Sequence, residues 1–193
     1  MGKKLLAALA AIALMVGVGF ALSARPFPSD QTPAGAYMRI AKSVGEDAPR
    51  AIFAYLETDA QWACYTIRDA RSKALARVEA SYPPTERAAL ESAYRAQAAA
   101  PDGADVFTLE AARRGWLARL RKDLSGVASV QIDGDRASVV TARGTRYPFR
   151  RRDNGIWGLT IFTADLVAES ERAARDLSAI NAAADDFERA RRR

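Results

Sequence analysis

The chemistry open to this chain is limited by the residue types that it lacks. The sequence contains no histidine and one cysteine, Cys64. Histidine is the commonest general base near neutral pH, and catalytic triads and many zinc sites depend on it. Cys64 lies in an apolar helical segment beside Trp62, which predicts a small buried hydrophobe rather than a reactive thiol. We therefore expect neither a metal nor another cofactor.

Two carboxylates near aromatic residues could support acid–base catalysis. Asp59 and Asp69 flank Trp62 and Tyr65 in the sequence. A carboxyl group buried beside such side chains has a raised pKa and can act as a general base in an apolar pocket. No spacing requires this role, and Asp59 is equally suited to cap a helix. We therefore assign no catalytic residue and keep this chemistry as an alternative.

Arginines near the end of a predicted strand indicate a different kind of site. Arg146 and Arg150 are four residues apart, so they lie on the same face of a strand, and Arg151 and Arg152 follow directly. Guanidinium groups bind carboxylates and phosphates. The alternative is that these arginines are solvated or paired with Asp153 and neighbouring carboxylates. The candidate ligand-binding or partner-binding residues are Trp62, Tyr65, Arg146 and Arg150.

A predicted sheet positions these arginines. Residues 127–162 contain four short runs rich in Val, Ile, Thr and aromatic residues, separated by Asp133-Gly134-Asp135, Arg143-Gly144 and Asp153-Asn154-Gly155. Glycine next to Asp or Asn is typical of tight hairpins, so the pattern predicts a four-stranded antiparallel meander. The first of these turns lacks the further ligands of a calcium loop.

The register of the meander follows from the lengths of its turns. A two-residue second turn places Val140 on the face of Tyr147, and a three-residue third turn pairs Phe149 with Leu159. A one-residue slip would scatter the apolar side chains over both faces. The predicted apolar layer is Val140, Tyr147, Phe149, Trp157, Leu159 and Ile161. The other face is predicted to carry Val139, Thr141, Arg146, Arg150, Thr160 and Phe162.

Helical patterns surround the meander. Apolar spacing and capping residues predict helices from Thr32-Pro33 to Gly45, after Asp47, over 59–80, from Thr85 to about Gln97, over 108–124 and from Thr163 to Arg189. The charges of Arg71, Arg113 and Arg114 are expected on solvated faces. The final helix has a heptad-like seam, which we expect to dock on the domain; pairing with another chain is the alternative.

An apolar run near the N-terminus predicts export. Residues 5–22 form an uninterrupted apolar segment after Lys3 and Lys4, so residues 1–24 are expected to be a membrane anchor or a signal peptide. Residues 25–32 are expected to be a linker, and 33–190 a single α+β domain. The expected location is a single-pass inner-membrane protein with its domain facing the periplasm or exterior, or a secreted protein if cleaved after Ser23. Nucleic acid is therefore not an expected partner.

Two stretches resemble a known family. Residues 33–56, PAGAYMRIAKSVGEDAPRAIFAYL, and the later Asp-Asn-Gly-Ile-Trp-Gly-Leu resemble the opening helices and last strands of nuclear transport factor two-like domains. The resemblance covers residues 33–162. It implies a cone-shaped α+β fold with a pocket between helices and a curved sheet. Members use that pocket for catalysis, binding or dimerisation, and no catalytic motif of the family maps onto this chain.

Together these patterns predict an α+β fold in which N-terminal helices pack on a curved four-stranded antiparallel meander, followed by a long C-terminal helix. The favoured function is a non-catalytic, exported or membrane-anchored binding module for an anionic ligand or an acidic protein. The alternatives are an isomerase-like or dehydratase-like enzyme with a buried carboxylate, and a homo-oligomeric structural protein of the envelope.

Overall fold

The computed structural model describes residues 27–192. In chain order the elements are α1 (Pro33–Gly45), α2 (Pro49–Ile52), α3 (Thr58–Ser81), α4 (Pro84–Ala98), α5 (Gly103–Arg113), α6 (Trp116–Asp123), β1 (Val127–Asp133), β2 (Arg136–Thr141), β3 (Arg146–Arg151), β4 (Trp157–Leu159) and α7 (Thr163–Arg191). A short 3₁₀ turn, Phe53–Tyr55, precedes α3. This order of helices, sheet and long final helix confirms the predicted α+β class.

Local capping explains several of the helix boundaries. The Thr32 hydroxyl accepts a hydrogen bond from the Gly35 N–H at 3.1 Å, and α1 ends at Gly45 as predicted. The prediction that Asp47 caps the second helix was wrong. Asp47 has a positive φ of 53° and accepts a hydrogen bond from Arg121, while Ala48 precedes α2.

The helix predicted over 108–124 is two helices. Helix α5 begins earlier, at Gly103, where the Asp102 side chain accepts hydrogen bonds from the N–H groups of Ala104 and Asp105. The chain then breaks at Gly115, whose φ of 66° is left-handed, before α6 begins at Trp116. The break allows the Trp116 ring to stack on Phe162 at a centroid distance of 4.4 Å.

The strands form one antiparallel sheet in the order β1-β2-β3-β4. The predicted pairing of Phe149 with Leu159 is confirmed. The prediction for Val140 was wrong, because Val139 pairs with Tyr147 and is fully buried. The second turn has three residues rather than two, since the Thr141 N–H donates to the Thr145 carbonyl at 2.9 Å.

Residues after β4 also depart from the predicted layer. The strand ends at Leu159, so Ile161 does not extend the ladder and is 38% exposed. Phe162, predicted for the opposite face, is instead buried in the main core with Phe107 and Trp116. The inner sheet residues of this core are Ala137, Val139, Tyr147, Phe149, Trp157 and Leu159.

Helix α7 packs along α3, as docking of the final helix predicted. Its seam residues Ile180 and Ala184 join Ala74, Val78 and Tyr82 in a second, smaller apolar cluster. The hydroxyl group of the buried Tyr82 is satisfied in this cluster, because it donates a hydrogen bond to the Ile180 carbonyl at 3.2 Å. The heptad-like seam is therefore used inside one chain.

The chain enters the fold beside β4. The Trp157 indole N–H donates to the Gln31 carbonyl at 3.1 Å, and the Trp157 backbone N–H donates to Asp30. Leu56 forms a parallel bridge with Leu159 on the same edge. Gly158 permits this approach, because a Cβ there would lie 2.7 Å from the backbone of Glu57. These contacts cover the β4 edge of the sheet.

None of the helices within residues 27–192 has the length and apolar character needed to cross a bilayer. The predicted anchor or signal peptide, residues 1–24 with its apolar run at 5–22, lies outside the described residues.

Candidate functional site

The outer face of the sheet carries the two arginines predicted as partner-binding residues. The side chains of Arg146 and Arg150 alternate along β3 with the buried Tyr147 and Phe149, so both arginines are exposed on the same face. No helix of the described residues buries this face of β3. The structure thus brings Arg146 and Arg150 together as the spacing predicts.

The two arginines differ in their partners. Arg150 Nε donates to Asp135 Oδ2 at 3.2 Å, and Arg150 Nη1 lies 3.4 Å from Glu57 Oε1. These hydrogen bonds raise the pKa of Arg150, Asp135 contributing most. Arg146 Nη1 instead donates to the neutral Gln131 Oε1 at 3.3 Å. Its positive charge is therefore not compensated by a carboxylate within 4.0 Å among residues 27–192.

Each arginine borders a separate hollow. Arg146 lines one of about 300 Å³ together with Trp116, Tyr147, Phe162 and two carboxylates, Asp123 and Asp165. Burial raises the pKa of Tyr147 to about 12, and its hydroxyl has no hydrogen-bond partner within the described residues. Arg150 lines a more polar hollow of about 280 Å³. The Arg146 hollow is thus the one with aromatic walls.

The other two predicted residues lie elsewhere. Trp62 is 67% exposed on α3, and its ring centroid is 6.1 Å from that of the half-buried Tyr65. Tyr65 also contacts Phe53 edge-on at 5.9 Å. Neither Trp62 nor Tyr65 lines the hollows that contain the arginines. The four predicted residues therefore do not form one site.

The alternative of a catalytic aspartate requires a buried carboxyl group, and neither candidate is buried. Asp59 and Asp69 are both exposed, and Asp69 accepts a hydrogen bond from Arg68 at 2.7 Å. Neither carboxyl group therefore lies in the apolar pocket that this alternative requires. Cys64 is fully buried, and burial raises the pKa of its thiol to about 12, which agrees with the predicted inert role.

The buried carboxylates of the described residues are Glu57, Glu110 and Glu169. Glu57 Oε2 accepts a hydrogen bond from the Thr163 hydroxyl at 2.7 Å, at the start of α7. The other two belong to a cluster that we call the Arg71 cluster: Arg71, Gln97, Glu110, Arg113, Arg114, Glu169 and Asp176.

The Arg71 cluster joins four helices through ion pairs and hydrogen bonds. Arg71 Nη1 donates to Asp176 Oδ2 at 2.5 Å, and Arg71 Nε donates to Gln97 Oε1 at 3.1 Å. Gln97 in turn donates to Glu110 at 2.7 Å, and Arg71 Nη2 lies 3.6 Å from Glu169. The cluster thus connects α3, α4, α5 and α7.

The prediction of a solvated face was wrong for Arg71 and for the half-buried Arg114, whereas Arg113 is exposed as predicted. The Arg71 side chain is 5% exposed, and Arg113 and Arg114 contact both Glu110 and Glu169. The sequence did carry a signal, because Ile67, Arg71, Ala74 and Val78 follow a spacing of 4, 3 and 4. That spacing places Arg71 on the buried seam.

The charges of the cluster make Glu169 a poor base. Burial alone would raise the pKa of Glu169, but the hydrogen bond and charge of Arg113, with Arg172 and Arg71, bring it below its usual value. A carboxylate with a lowered pKa holds no proton near neutral pH and accepts one weakly. The arrangement therefore supports structural pairing rather than proton transfer.

Comparisons with known proteins leave the site to be judged on its own geometry. No family model, curated protein or solved structure matches this chain.

Proposed function

We propose that this chain is a non-catalytic, exported or membrane-anchored binding module whose outer sheet face binds an anionic partner. The observation that carries the proposal is Arg146, which is exposed and bonded to a neutral amide rather than to a carboxylate. A guanidinium in that state can bind a carboxylate or phosphate without first breaking an ion pair.

Neighbouring charges support the same partner. The outer face of β2 and β3 carries three arginines, Arg136, Arg146 and Arg150, and the carboxylate on this face of the sheet is Asp133, which lies opposite Arg136 on β1. Several like charges on one exposed face attract multivalent anions more strongly than a single charge does. The partner is therefore an acidic protein surface or a polymer with repeated anionic groups, and nucleic acid is disfavoured because the domain is proposed to lie outside the cytoplasm.

The location belongs to the same proposal. An anchor or signal peptide at residues 5–22 would place the domain in the periplasm or outside the cell. The resemblance to nuclear transport factor two-like domains over residues 33–162 also stays a proposal. It agrees in kind with an α+β architecture and with an aromatic hollow between sheet and helices.

A charge-matched pair of variants tests the proposal. Full-length protein is titrated with poly-L-glutamate and with inorganic polyphosphate, which represent carboxylate and phosphate surfaces. The double variant Arg136→Gln, Arg146→Gln removes two charges from the sheet face, and the control Arg175→Gln, Arg189→Gln removes two exposed charges from α7. Arg150 is left intact because it pairs with Asp135 and Glu57.

We expect at least a tenfold loss of affinity for one of the two probes in the sheet variant and less than a twofold loss in the control. Equal losses in both variants would show that net charge alone attracts the probes. That outcome would refute a specific sheet-face site.

A further inference from the structure

The β1 edge of the sheet is open, whereas the β4 edge is covered by Leu56 and Glu57. Strand β1 pairs with β2 on one side and with nothing on the other within residues 27–192. Val130 is 36% exposed and Ile132 is 60% exposed, although both are apolar. An exposed apolar edge strand is a site where another strand can pair.

The backbone of β1 presents its unpaired groups at the same two residues. In an antiparallel sheet, the backbone groups of successive residues point alternately to the two neighbouring strands. The Thr141 N–H points to β3, so the backbone groups of Arg136, Ser138 and Val140 point to β1. Their partners on β1 are Asp133, Gln131 and Ser129. The N–H and C=O groups of Val130 and Ile132 consequently point away from β2. A strand added at this edge would hydrogen-bond to these two residues.

The side chains of Val130 and Ile132 lie on the core side of the sheet. Their partners across the ladder, Val139 and Ala137, are buried, whereas Val130 and Ile132 themselves are left exposed. An added strand would therefore continue both the ladder and the apolar layer. Strand β1 also lacks the lysine or proline that proteins commonly place on an open edge.

We propose that β1 pairs antiparallel with β1 of a second copy of this chain, making a continuous eight-stranded sheet about a two-fold axis. In the register that matches the free backbone groups, Val130 faces Ile132 of the second copy, and Gln131 faces Gln131. Four apolar side chains then meet on the core side. The single charge of the strand, Asp133, faces Ser129, so no like charges are opposed.

The charges at the two ends of β1 favour a second copy in this direction. The strand ends at Asp133, which has no ion pair within residues 27–192, whereas Asp135 in the following turn is paired with Arg150. Its beginning lies beside basic residues, because the Arg143 N–H donates to Ser125 Oγ at 3.2 Å and the Arg143 guanidinium bonds to the Lys122 carbonyl. Antiparallel pairing of identical strands brings each Asp133 toward the basic end of the other copy, twice per dimer.

Disulfide trapping tests the register in the full-length chain. Gln131→Cys places two cysteines in a non-hydrogen-bonded cross-strand pair, where Cα atoms are about 4.5 Å apart and a disulfide can form. The variant is oxidised in the producing cells with copper phenanthroline and examined on a non-reducing gel. The unchanged chain, whose Cys64 is buried, and Ser138→Cys, one strand further from the axis, serve as controls.

We expect a disulfide-linked dimer from Gln131→Cys and at least tenfold less from either control. A second variant, Ile132→Lys, replaces a residue that is exposed in the single chain, so the fold should be kept. It should weaken self-association of the purified protein at least tenfold by sedimentation equilibrium. A monomer at tens of micromolar, or a dimer that is unaffected by Ile132→Lys and not trapped through residue 131, would overturn the proposal.

Discussion

Arg71 is a fully paired charge in a place where an unpaired charge would be costly. Its guanidinium contacts Gln97, Glu169 and Asp176 and lies 4.5 Å from the ring centroid of Tyr94. Removing one member of a buried ion pair leaves the other charges without compensation. The stability of the helical part of the fold therefore depends on this residue.

We expect Arg71→Ala to lower the free energy of unfolding by about 3–5 kcal/mol, the range typical of a broken buried pair. Arg68→Ala is the control on the same helix, since Arg68 is more exposed and pairs with its exposed neighbour Asp69. Its loss should cost about 1 kcal/mol or less. Urea unfolding followed by circular dichroism measures both, and equal effects would contradict the structural role of the cluster.

The carboxyl group of Glu169 predicts a pH dependence of stability. Because its pKa in the folded protein is below the usual 4.5, the folded state holds this proton less tightly than the unfolded state. Its contribution to stability is fully present above about pH 4.5 and is lost as the pH falls through the lower folded pKa.

Glu169→Gln should therefore flatten the fall in unfolding free energy below pH 4.5, although the variant is less stable at pH 7. Urea unfolding at several pH values between 3 and 7 measures the slope. Glu171→Gln, on an exposed position of α7, should leave the slope unchanged. An unchanged slope in Glu169→Gln would mean that other groups cause the acid sensitivity.

Among the elements, the break between α5 and α6 depends most clearly on one residue. Gly115 adopts a left-handed φ of 66° with open space around it, so only the backbone conformation opposes a side chain there. We expect Gly115→Ala to cost about 1–2 kcal/mol of unfolding free energy. Gly45→Ala, also in open space but with an ordinary φ, should instead stabilise the fold by about 0.4–1 kcal/mol.

Thermal and urea unfolding of the two variants distinguish conformational strain from loss of chain flexibility. Equal effects at positions 115 and 45 would contradict the assignment of strain to Gly115.

The sequence alone predicted one continuous helix here, because Leu109, Trp116 and Leu120 keep helical spacing across the break. Spacing shows which face is apolar, but it does not detect a single left-handed residue.

The sheet shows a similar limit. The strands and the glycine turns were predictable from residue types, since β-branched and aromatic runs alternated with Gly next to Asp, Asn or Arg. The register of β2 was not, because Val139 and Val140 are equally apolar and the Arg143-Gly144 pair suits a turn of two or three residues. Tertiary burial of Val139 decides between them.

At the scale of the whole molecule, the sequence predicted layers better than long-range pairs. The order of helices, meander and final helix followed from local patterns, and so did the exposed face with Arg146 and Arg150. The Arg71 cluster did not, because Arg71 and Asp176 are 105 positions apart. Likewise, Asp59 and Asp69 could be placed near aromatic residues in sequence, but their exposure depends on how α3 packs.

The contact between Trp157 and the chain entry also sets the order in which this protein completes its fold during synthesis. Gln31 leaves the ribosome early, but the indole that binds its carbonyl lies 126 positions later. The hydrogen bonds of helix α1 are all local in sequence, whereas the covered sheet edge must wait until β4 has been made. Pairing across so many residues slows folding. The entry segment at Gln31 is therefore among the last parts of the domain to become fixed, although it is synthesised before the helices and the sheet.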